Sequence, residues 1–271
     1  MAPAPFGPWV SLLLLSLFAT PALAQQSATP ISTTSDPQAV ALATKALAAL
    51  TGGTPITDVI LTGTATRTAG SDVETGTITL QALGSASSRT DFDGSGGNRT
   101  EIRNSSTGVP QGSWVSPDAA SHAMASHNCL TDAVWFFPAF SVLSQISQPN
   151  VRATYLGQET HNGLSVRHLR FATLLPLPSN ANSLLARLTT EDIYLDSSSL
   201  LPVSVKFNSH PDNDALTDIP VEIDFSKYQL VQHVPVPFTV RMLLNGSVLF
   251  DVELQSAVFN SGLSDSNFAI Q

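Results

Sequence analysis

The sequence contains a single cysteine, Cys129, and few basic residues. One cysteine cannot form an intrachain disulfide, so packing and strand pairing have to stabilise the fold. Lys and Arg together number 12 against 21 Asp and Glu, which gives a formal net charge of −9. Proteins that bind nucleic acid or anionic membrane surfaces need clusters of Lys and Arg to displace counterions. The sequence has no such cluster, and we therefore exclude nucleic acid and anionic membranes as binding partners.

Recognisable catalytic motifs are also missing. Neither the G-x-S-x-G sequence of the nucleophile elbow nor the S-x-x-K motif occurs in the chain,. We therefore predict that the protein is not an enzyme. An extracellular hydrolase or glycan-binding protein stays open as the alternative, because glycoside hydrolases use two carboxylates and several acidic residues lie in or beside predicted strands. These residues are Glu159, Glu191, Asp192, Glu222 and Asp224.

The apolar run at the N-terminus is short. It covers residues 10–19, ten residues in all, whereas a membrane-spanning helix needs about 20,. Pro21 and the small-residue site Ala22-Leu23-Ala24 follow it, as is typical of a secretory signal peptide,. No cysteine lies near this site to carry a lipid anchor. The sequence predicts a signal peptide at 1–24 that is cleaved after Ala24, export to the periplasm or out of the cell, and no stable membrane insertion.

One helix is expected at the start of the folded part. Asp36 is a favourable N-cap, Pro37 suits the first helical position, and Gly52-Gly53 is a natural stop,. The only charged residue between these ends is Lys45. A helix with so little polar surface should be covered on more than one side, as when it lies across a sheet.

From Thr57 onward, apolar and polar residues alternate with the period of half-buried β-strands,. Turn-forming residues recur at hairpin distances, and the clearest pair is Asn245-Gly246, whose residues tolerate the positive φ of a type I′ turn. We predict a mainly β fold with about ten strands in a long antiparallel meander. Residues 25–35 are small and polar and should be flexible, and residues 36–271 should form a single antiparallel β domain,.

Two apolar insertions interrupt the alternation. In the first, residues 130–146, Thr131 can cap a helix and Pro138 should break or kink it,. The second starts at Leu174 and leads into a short helix at 180–188. These insertions either fill the core of a curved sheet or line a cavity for an apolar ligand, because ligand sites are concave and mostly apolar. The residues predicted to bind such a ligand are Trp135, Phe136, Phe137, Phe140, Leu184 and Leu185.

Two motifs contain metal-ligating residue types. His122, His127 and Cys129 form H-x4-H-x-C, but no further ligand pair accompanies them,. The segment 91–96 has acidic and hydroxyl residues at positions 1, 3 and 5 of a calcium loop, but its twelfth position is Ile102 and not a glutamate,. We interpret the first as a loop and the second as a Gly-rich β-turn, and we predict no metal and no cofactor.

The chain resembles the periplasmic lipoprotein carriers, a LolA-like superfamily of half-open barrels. The matching segments are Gly-Thr-Ile-Thr-Leu at 76–80, Arg-Thr-Asp-Phe at 89–92, Ile-Tyr-Leu-Asp at 193–196 with Leu-Pro at 201–202, and Leu-Ser-Asp-Ser-Asn-Phe at 263–268. The Ser- and Asn-rich stretch 111–128 departs from the family pattern.

This resemblance implies a meander curved into a half-open barrel, with one N-terminal helix under its concave face and two short apolar helical insertions. It also implies binding of acyl chains of lipoproteins or related lipids, with no catalytic residues. The leading hypothesis is thus an exported, non-enzymatic protein that binds a hydrophobic ligand on the concave face. A structural protein with a filled core is a further alternative, and the sequence leaves the oligomeric state open.

Overall fold

A computed structural model describes residues 34–131 and 133–271 of the chain. The predicted signal peptide, its cleavage site and residues 25–33 of the predicted flexible segment lie outside the described residues. The described residues contain thirteen strands, two α-helices and four 3₁₀ turns. The helices are α1 (Pro37–Thr51) and α2 (Ser179–Leu188), and the 3₁₀ turns are Ser126–Cys129, Pro138–Phe140, Val142–Gln145 and Asp265–Phe268. The strands are β1 (Asp58–Ala69), β2 (Asp72–Leu83), β3 (Ser87–Gly94), β4 (Gly97–Asn104), β5 (Gln111–Val115), β6 (Ser121–Ala123), β7 (Val151–His161), β8 (Leu164–Thr173), β9 (Glu191–Asp196), β10 (Pro202–Ser209), β11 (Ile219–Val231), β12 (Val234–Leu244) and β13 (Ser247–Phe259).

Helix α1 has the predicted ends. The Asp36 side chain accepts a hydrogen bond from the Gln38 N–H at 2.8 Å, and Pro37 occupies the first helical position. Gly52 ends the helix with φ 58°, and its N–H donates to the Ala48 carbonyl at 3.1 Å. The buried face of α1 consists mostly of alanine, which lets the helix lie close to its neighbours,. It contacts β12, β7 and the 3₁₀ turns at 138–140 and 142–145.

The strands form one antiparallel sheet in the order β6-β5-β4-β3-β2-β1-β13-β12-β11-β10-β9-β8-β7. The sheet curves into a half-open barrel that is not closed, as predicted. The chain enters at the centre in β1, runs outward to the edge strand β6, and returns from the other edge strand, β7, to β13 beside β1. The segment between β6 and β7 therefore connects the two edges of the open sheet.

Alternation along the strands puts the core on one face, which we call the inner face. Leu61, Ile78, Ile223, Val240 and Val252 are at most 1% exposed there, and α1 packs on the same side. The opposite, outer face has the intervening polar residues. The hairpin predicted at Asn245-Gly246 joins β12 to β13, and both of its residues have positive φ, at 50° and 76°.

The edge strand β7 is bonded by the residues just before α1. The Asp36 N–H donates to the Ala153 carbonyl at 2.8 Å, and a carboxylate oxygen of Asp36 accepts from the Tyr155 N–H at 3.4 Å. The Ala153 N–H donates to the Ser35 hydroxyl oxygen at 3.2 Å. The segment that caps the helix thus also satisfies backbone groups of an edge strand.

The first insertion differs from its prediction. No α-helix starts at Thr131 in the described part of the insertion, which instead forms 3₁₀ turns at 138–140 and 142–145. Pro138 has no N–H and fixes φ, so a longer helix cannot run through it. The Ser141 hydroxyl donates to the Pro138 carbonyl at 2.7 Å and ends the first of these turns. The second insertion does contain a helix, α2.

Candidate functional site

Four of the six predicted ligand residues lie together in the core. They belong to residues 133–146, which we call the aromatic insertion. Their exposed fractions are small: 7% for Trp135, 0% for Phe136 and Phe137, and 6% for Phe140. All four pack into the buried cluster of the inner face. In this conformation the aromatic insertion fills the inner face, and its role in ligand binding stays a prediction.

The rings of the insertion contact strand residues in defined geometries. Trp135 is stacked on Phe250 of β13, with centroids 6.4 Å apart and planes 29° from parallel. Phe250 in turn meets Phe92 of β3 edge-to-face, with centroids 5.7 Å apart. Phe137 and Phe140 form a second edge-to-face pair at 5.1 Å. Edge-to-face and offset pairs are the favoured arrangements of aromatic rings, so the aromatic insertion is well packed against the sheet.

Part of the apolar inner face beside Trp135 is accessible to solvent. Phe250, Met242 and Phe207 pack against the core but are only partly buried. Met242 lies opposite Phe250 in the pairing of β12 with β13. Leu244, two residues further along β12, is 37% exposed. The inner face therefore presents an apolar strip next to the aromatic insertion.

Three charged residues, Arg67, Glu74 and Arg99, lie on the inner face beside Phe250. Arg67 is opposite Phe250 in the β1–β13 pairing and opposite Glu74 in the β1–β2 pairing. Arg67 and Arg99 both donate to the same carboxylate oxygen of Glu74, at 3.2 and 2.8 Å. Two guanidinium groups thus share one carboxylate, which leaves a surplus positive charge beside the ring of Phe250.

The other two predicted ligand residues are separate from this cluster. Leu184 of α2 is 41% exposed and Leu185 is half-buried, and neither is part of the buried core cluster of the described residues. Helix α2 buries Ala186 and Leu188 instead and contacts β8. Leu188 at the end of α2 is buried, whereas Leu184, one turn earlier on the same side of the helix, is exposed to solvent,.

Two pockets of the described structure are lined by none of the six predicted residues. The first has a volume of about 150 Å³ and is lined by Arg103, Asn104, Glu191 and residues at the ends of both insertions. It is smaller than the roughly 300–1,000 Å³ of typical ligand pockets. The second, about 590 Å³, lies over β13, β1, β2 and β3 and is lined mainly by threonines and carboxylates. Neither is an apolar cavity under the aromatic insertion.

The carboxylates of the alternative hypothesis lie mostly on the outer face. His168 contacts Glu159 at 3.0 Å and Asp192 at 3.1 Å, and Arg170 donates to both oxygens of Asp192 at 2.7 and 2.8 Å. Burial alone would raise the pKa of Asp192, but hydrogen bonds from His168 and Arg170 hold it below its usual value,. Glu191 points to the other face and is 3% exposed.

Glu222 and Asp224 come together on β11. Glu222 accepts from His161 at 2.9 Å and from Ser204 at 3.0 Å, and pairs with Lys206 at 3.2 Å. Burial raises the pKa of Glu222, but the Lys206 charge and these hydrogen bonds bring it below its usual value. Burial and the neighbouring Glu222 charge raise the pKa of Asp224,.

Nothing in the sequence indicated the three aromatic rings that lie beside the carboxylates of the outer face. Tyr194 is stacked between His161 and His168, at centroid distances of 4.0 and 4.3 Å. The three rings come from β7, β8 and β9. No local spacing could have revealed them, because the contacts depend on how the strands pair and bend.

The two metal-like motifs have other partners. The ring of His122 stacks on that of Trp114, with centroids 3.9 Å apart. His127 Nε2 lies 3.0 Å from the Pro211 carbonyl oxygen. The Cys129 thiol donates to the Ala125 carbonyl at 3.6 Å. The segment 91–96 forms the end of β3 and the turn into β4, which confirms the predicted β-turn.

The sequence matches no family model, and no match was found among curated proteins. Solved structures do share the fold. A candidate outer membrane lipoprotein-sorting protein domain from Vibrio parahaemolyticus has a TM-score of 0.54 at 16% identity, over 85% of this chain and 96% of that one. A DUF1329 family protein from Desulfovibrio piger has a TM-score of 0.57 at 13% identity, over 86% and 99%.

A LolA superfamily protein from Nitrosomonas europaea has a TM-score of 0.53 at 9% identity, over 85% of this chain and 97% of that one. These similarities confirm the predicted resemblance at the level of the fold. Among the described residues, no helix combines the length and the apolar character needed to cross a membrane.

Proposed function

We propose that this chain is an exported, non-enzymatic protein that binds an acyl chain or a similar hydrophobic ligand on the inner face of the half-barrel. The observation that supports it most is the contact between Trp135 and the partly exposed Phe250. At this contact the buried aromatic insertion borders the solvent-accessible apolar strip. A hydrophobic chain laid on Phe250, Met242 and Phe207 would remove apolar surface from water.

The aromatic insertion is built as a cover that a ligand can displace. Its regular secondary structure is limited to two 3₁₀ turns of three and four residues, at 138–140 and 142–145. Its contact with the sheet includes a hydrogen bond from the Ser88 hydroxyl to the Ala133 carbonyl at 2.6 Å. An acyl chain that took the place of Trp135 or Phe140 would exchange one set of apolar contacts for another, which would offset part of the free-energy cost of moving these rings. The predicted residues Phe136 and Phe137 would line the opened site, and Leu184 and Leu185 would flank it from α2.

The charges at the end of the strip favour a ligand with an acidic end. Arg67 and Arg99 carry one positive charge in excess of Glu74 and lie beside the ring of Phe250. A carboxylate or phosphate at the end of an acyl chain would pair with the surplus guanidinium. The fold of the Vibrio parahaemolyticus domain, described as a candidate for lipoprotein sorting, agrees with a lipid ligand. The proposal of export rests on the signal peptide that the sequence predicts at 1–24,.

The proposal is tested by titrating a fluorescent fatty acid into the purified protein, together with mass spectrometry of the natively purified protein for bound lipid. We expect saturable binding that weakens at least about tenfold in Phe250→Ala, since a buried aromatic contact is worth more than 1.4 kcal/mol. Leu230→Ala is the matched control, because Leu230 is 72% exposed on β11. Absence of both probe binding and co-purified lipid in the unaltered protein would overturn the proposal.

A further inference from the structure

Three metal-ligating side chains converge on the outer face, away from the apolar strip. They are His161 at the end of β7 and Glu222 and Asp224 on β11. One ligand atom from each, an imidazole nitrogen and two carboxylate oxygens, lies within 4.8 Å of the other two. The two carboxylates are two residues apart on one strand, so both project from the same face of the sheet.

The convergence is built by a bend in the sheet. β8, β9 and β10 separate β7 from β11 in the strand order. A register shift at Tyr155/Gly157, with Gly157 at φ 123°, bends the β7–β8 hairpin,. The end of the hairpin then lies over β9, where His161 stacks on Tyr194 with planes 10° from parallel. His161 Nε2 reaches a Glu222 oxygen at 2.9 Å.

The local charges leave room for a cation. Lys206 pairs with Glu222 at 3.2 Å, but this single ammonium faces two carboxylates. Arg241 lies opposite Asp224 in the β11–β12 pairing, yet its guanidinium donates to Asp251 at 3.1 Å. One oxygen of Asp224, Oδ1, is buried and has no hydrogen-bond partner among the described residues. A buried carboxylate oxygen without a partner is costly unless a ligand completes it.

We propose that His161, Glu222 and Asp224 bind a divalent first-row transition-metal ion, with Zn²⁺ as the best match. One imidazole and two carboxylates suit Zn²⁺, whereas Ca²⁺ and Mg²⁺ prefer oxygen ligands alone. Ligands bound to one ion at about 2.1 Å lie about 3 to 3.5 Å apart, close to the His161–Glu222 distance. Metal binding would require a rotation of the Asp224 side chain to close the remaining gap, because the ligand atoms lie within 4.8 Å of one another. The bound ion would tie the β7–β8 hairpin to β11 and hold the curvature of the sheet.

The test is calorimetric titration of the chelator-treated full chain with Zn²⁺, and absorption spectroscopy with Co²⁺ as the probe. We expect one Zn²⁺ per chain, a higher unfolding temperature with Zn²⁺, and no comparable effect of Ca²⁺. Asp224→Asn, which keeps the side-chain shape, and His161→Ala should weaken Zn²⁺ binding at least about tenfold. His122→Ala is the control, because His122 is an exposed histidine stacked on Trp114.

Unfolding curves without metal show whether each variant is folded, so that a loss of binding is not confused with a loss of structure. Absence of stoichiometric Zn²⁺ binding by the unaltered chain would overturn the proposal. So would binding that persists at full strength in both Asp224→Asn and His161→Ala, since the ion would then lie elsewhere.

Discussion

Trp135 and Phe250 join the aromatic insertion to the centre of the sheet. Trp135 is 7% exposed, whereas Phe250 is only partly buried. The stacked pair therefore lies at the boundary between filled core and accessible inner face. Residues on the two sides of this boundary should respond differently to substitution, because one side contributes to the free energy of unfolding and the other to ligand contact.

Phe136→Ala should strongly destabilise the fold. Phe136 is fully buried, and removing such a side chain from a packed core costs about 3 to 5 kcal/mol of unfolding free energy,. Urea unfolding measures the loss. Leu184→Ala serves as the comparison, because Leu184 belongs to the same predicted ligand set but is 41% exposed, and its cost should stay below about 1 kcal/mol,. Equal losses in the two variants would contradict this division of the set.

Asp58 should make stability depend on acid pH. Its carboxylate accepts from the Ser261 N–H and hydroxyl at 2.8 and 2.6 Å and from the Gly262 N–H at 3.1 Å. Burial alone would raise the pKa of Asp58, but the hydrogen bonds from Ser261 and Gly262 bring it below the ordinary 3.8. The contribution is therefore present above pH 3.8 and lost as pH falls through the lowered pKa,.

The measurement is the urea midpoint of the unaltered chain and of Asp58→Asn at a series of pH values from neutral to acid. The difference between them should be largest at neutral pH, about 1 to 3 kcal/mol, and should shrink in acid. A difference that stays constant with pH would show that the charge of Asp58 is unimportant.

The Tyr194 phenol should ionise at a higher pH than an exposed tyrosine. Burial, followed by the charges of Asp192, Glu159 and Glu222, raises the pKa of Tyr194 to about 12. A phenol with a raised pKa stabilises the fold below its ordinary pKa of 10.0, and that contribution is lost as pH rises toward about 12,. The difference in tyrosinate absorbance between the unaltered chain and Tyr194→Phe isolates this group. A difference titration centred near pH 10 would contradict the buried, acid-flanked position.

His233→Gly should stabilise the chain. Gln232 and His233 connect β11 to β12 with φ of 50° and 71°, a conformation that glycine adopts without strain,. His233 is exposed, so little side-chain packing is lost. Relief of the left-handed backbone, about 1 to 2 kcal/mol, exceeds the cost of the extra backbone freedom of glycine in the unfolded chain, about 0.4 to 1 kcal/mol. We therefore expect the free energy of unfolding, measured by thermal or urea unfolding, to rise by roughly 0.5 to 1 kcal/mol. Asn245→Gly is the matched change in the next hairpin turn, between β12 and β13. It should have little effect on stability, because asparagine already tolerates φ 50°,. A loss of stability in His233→Gly would mean that the His233 side chain has a role of its own.

This turn also shows where sequence reasoning stops. Asp36, Pro37 and Gly52 have local chemistry that specifies helix ends, and Asn245-Gly246 specifies a hairpin, so these features were predictable. Gln232-His233 has no such preference, and the pairing of β11 with β12 imposes its conformation. The short strands β5 and β6 were missed for a similar reason, since they pair within a Ser- and Asn-rich stretch without clear alternation.

The candidate sites follow the same division. The aromatic insertion was predictable as an apolar segment, but its 3₁₀ turns and the exposure of Leu184 on α2 depend on tertiary packing. The contact between His161 and Glu222 joins residues 61 positions apart on strands that are not neighbours. It depends on the bend at Gly157, and no periodicity in the sequence encodes that bend.

The bonds from Ser35 and Asp36 to β7 have a consequence for the behaviour of the molecule in solution. An open sheet of this length has two edges, and an uncovered edge strand is a template on which a second molecule can add its own strand. By occupying the backbone groups of Ala153 and Tyr155, the residues just before α1 block that addition at β7. Truncation past residue 36 would therefore promote self-association through β7, with aggregation as the visible result, in addition to removing the N-cap of α1.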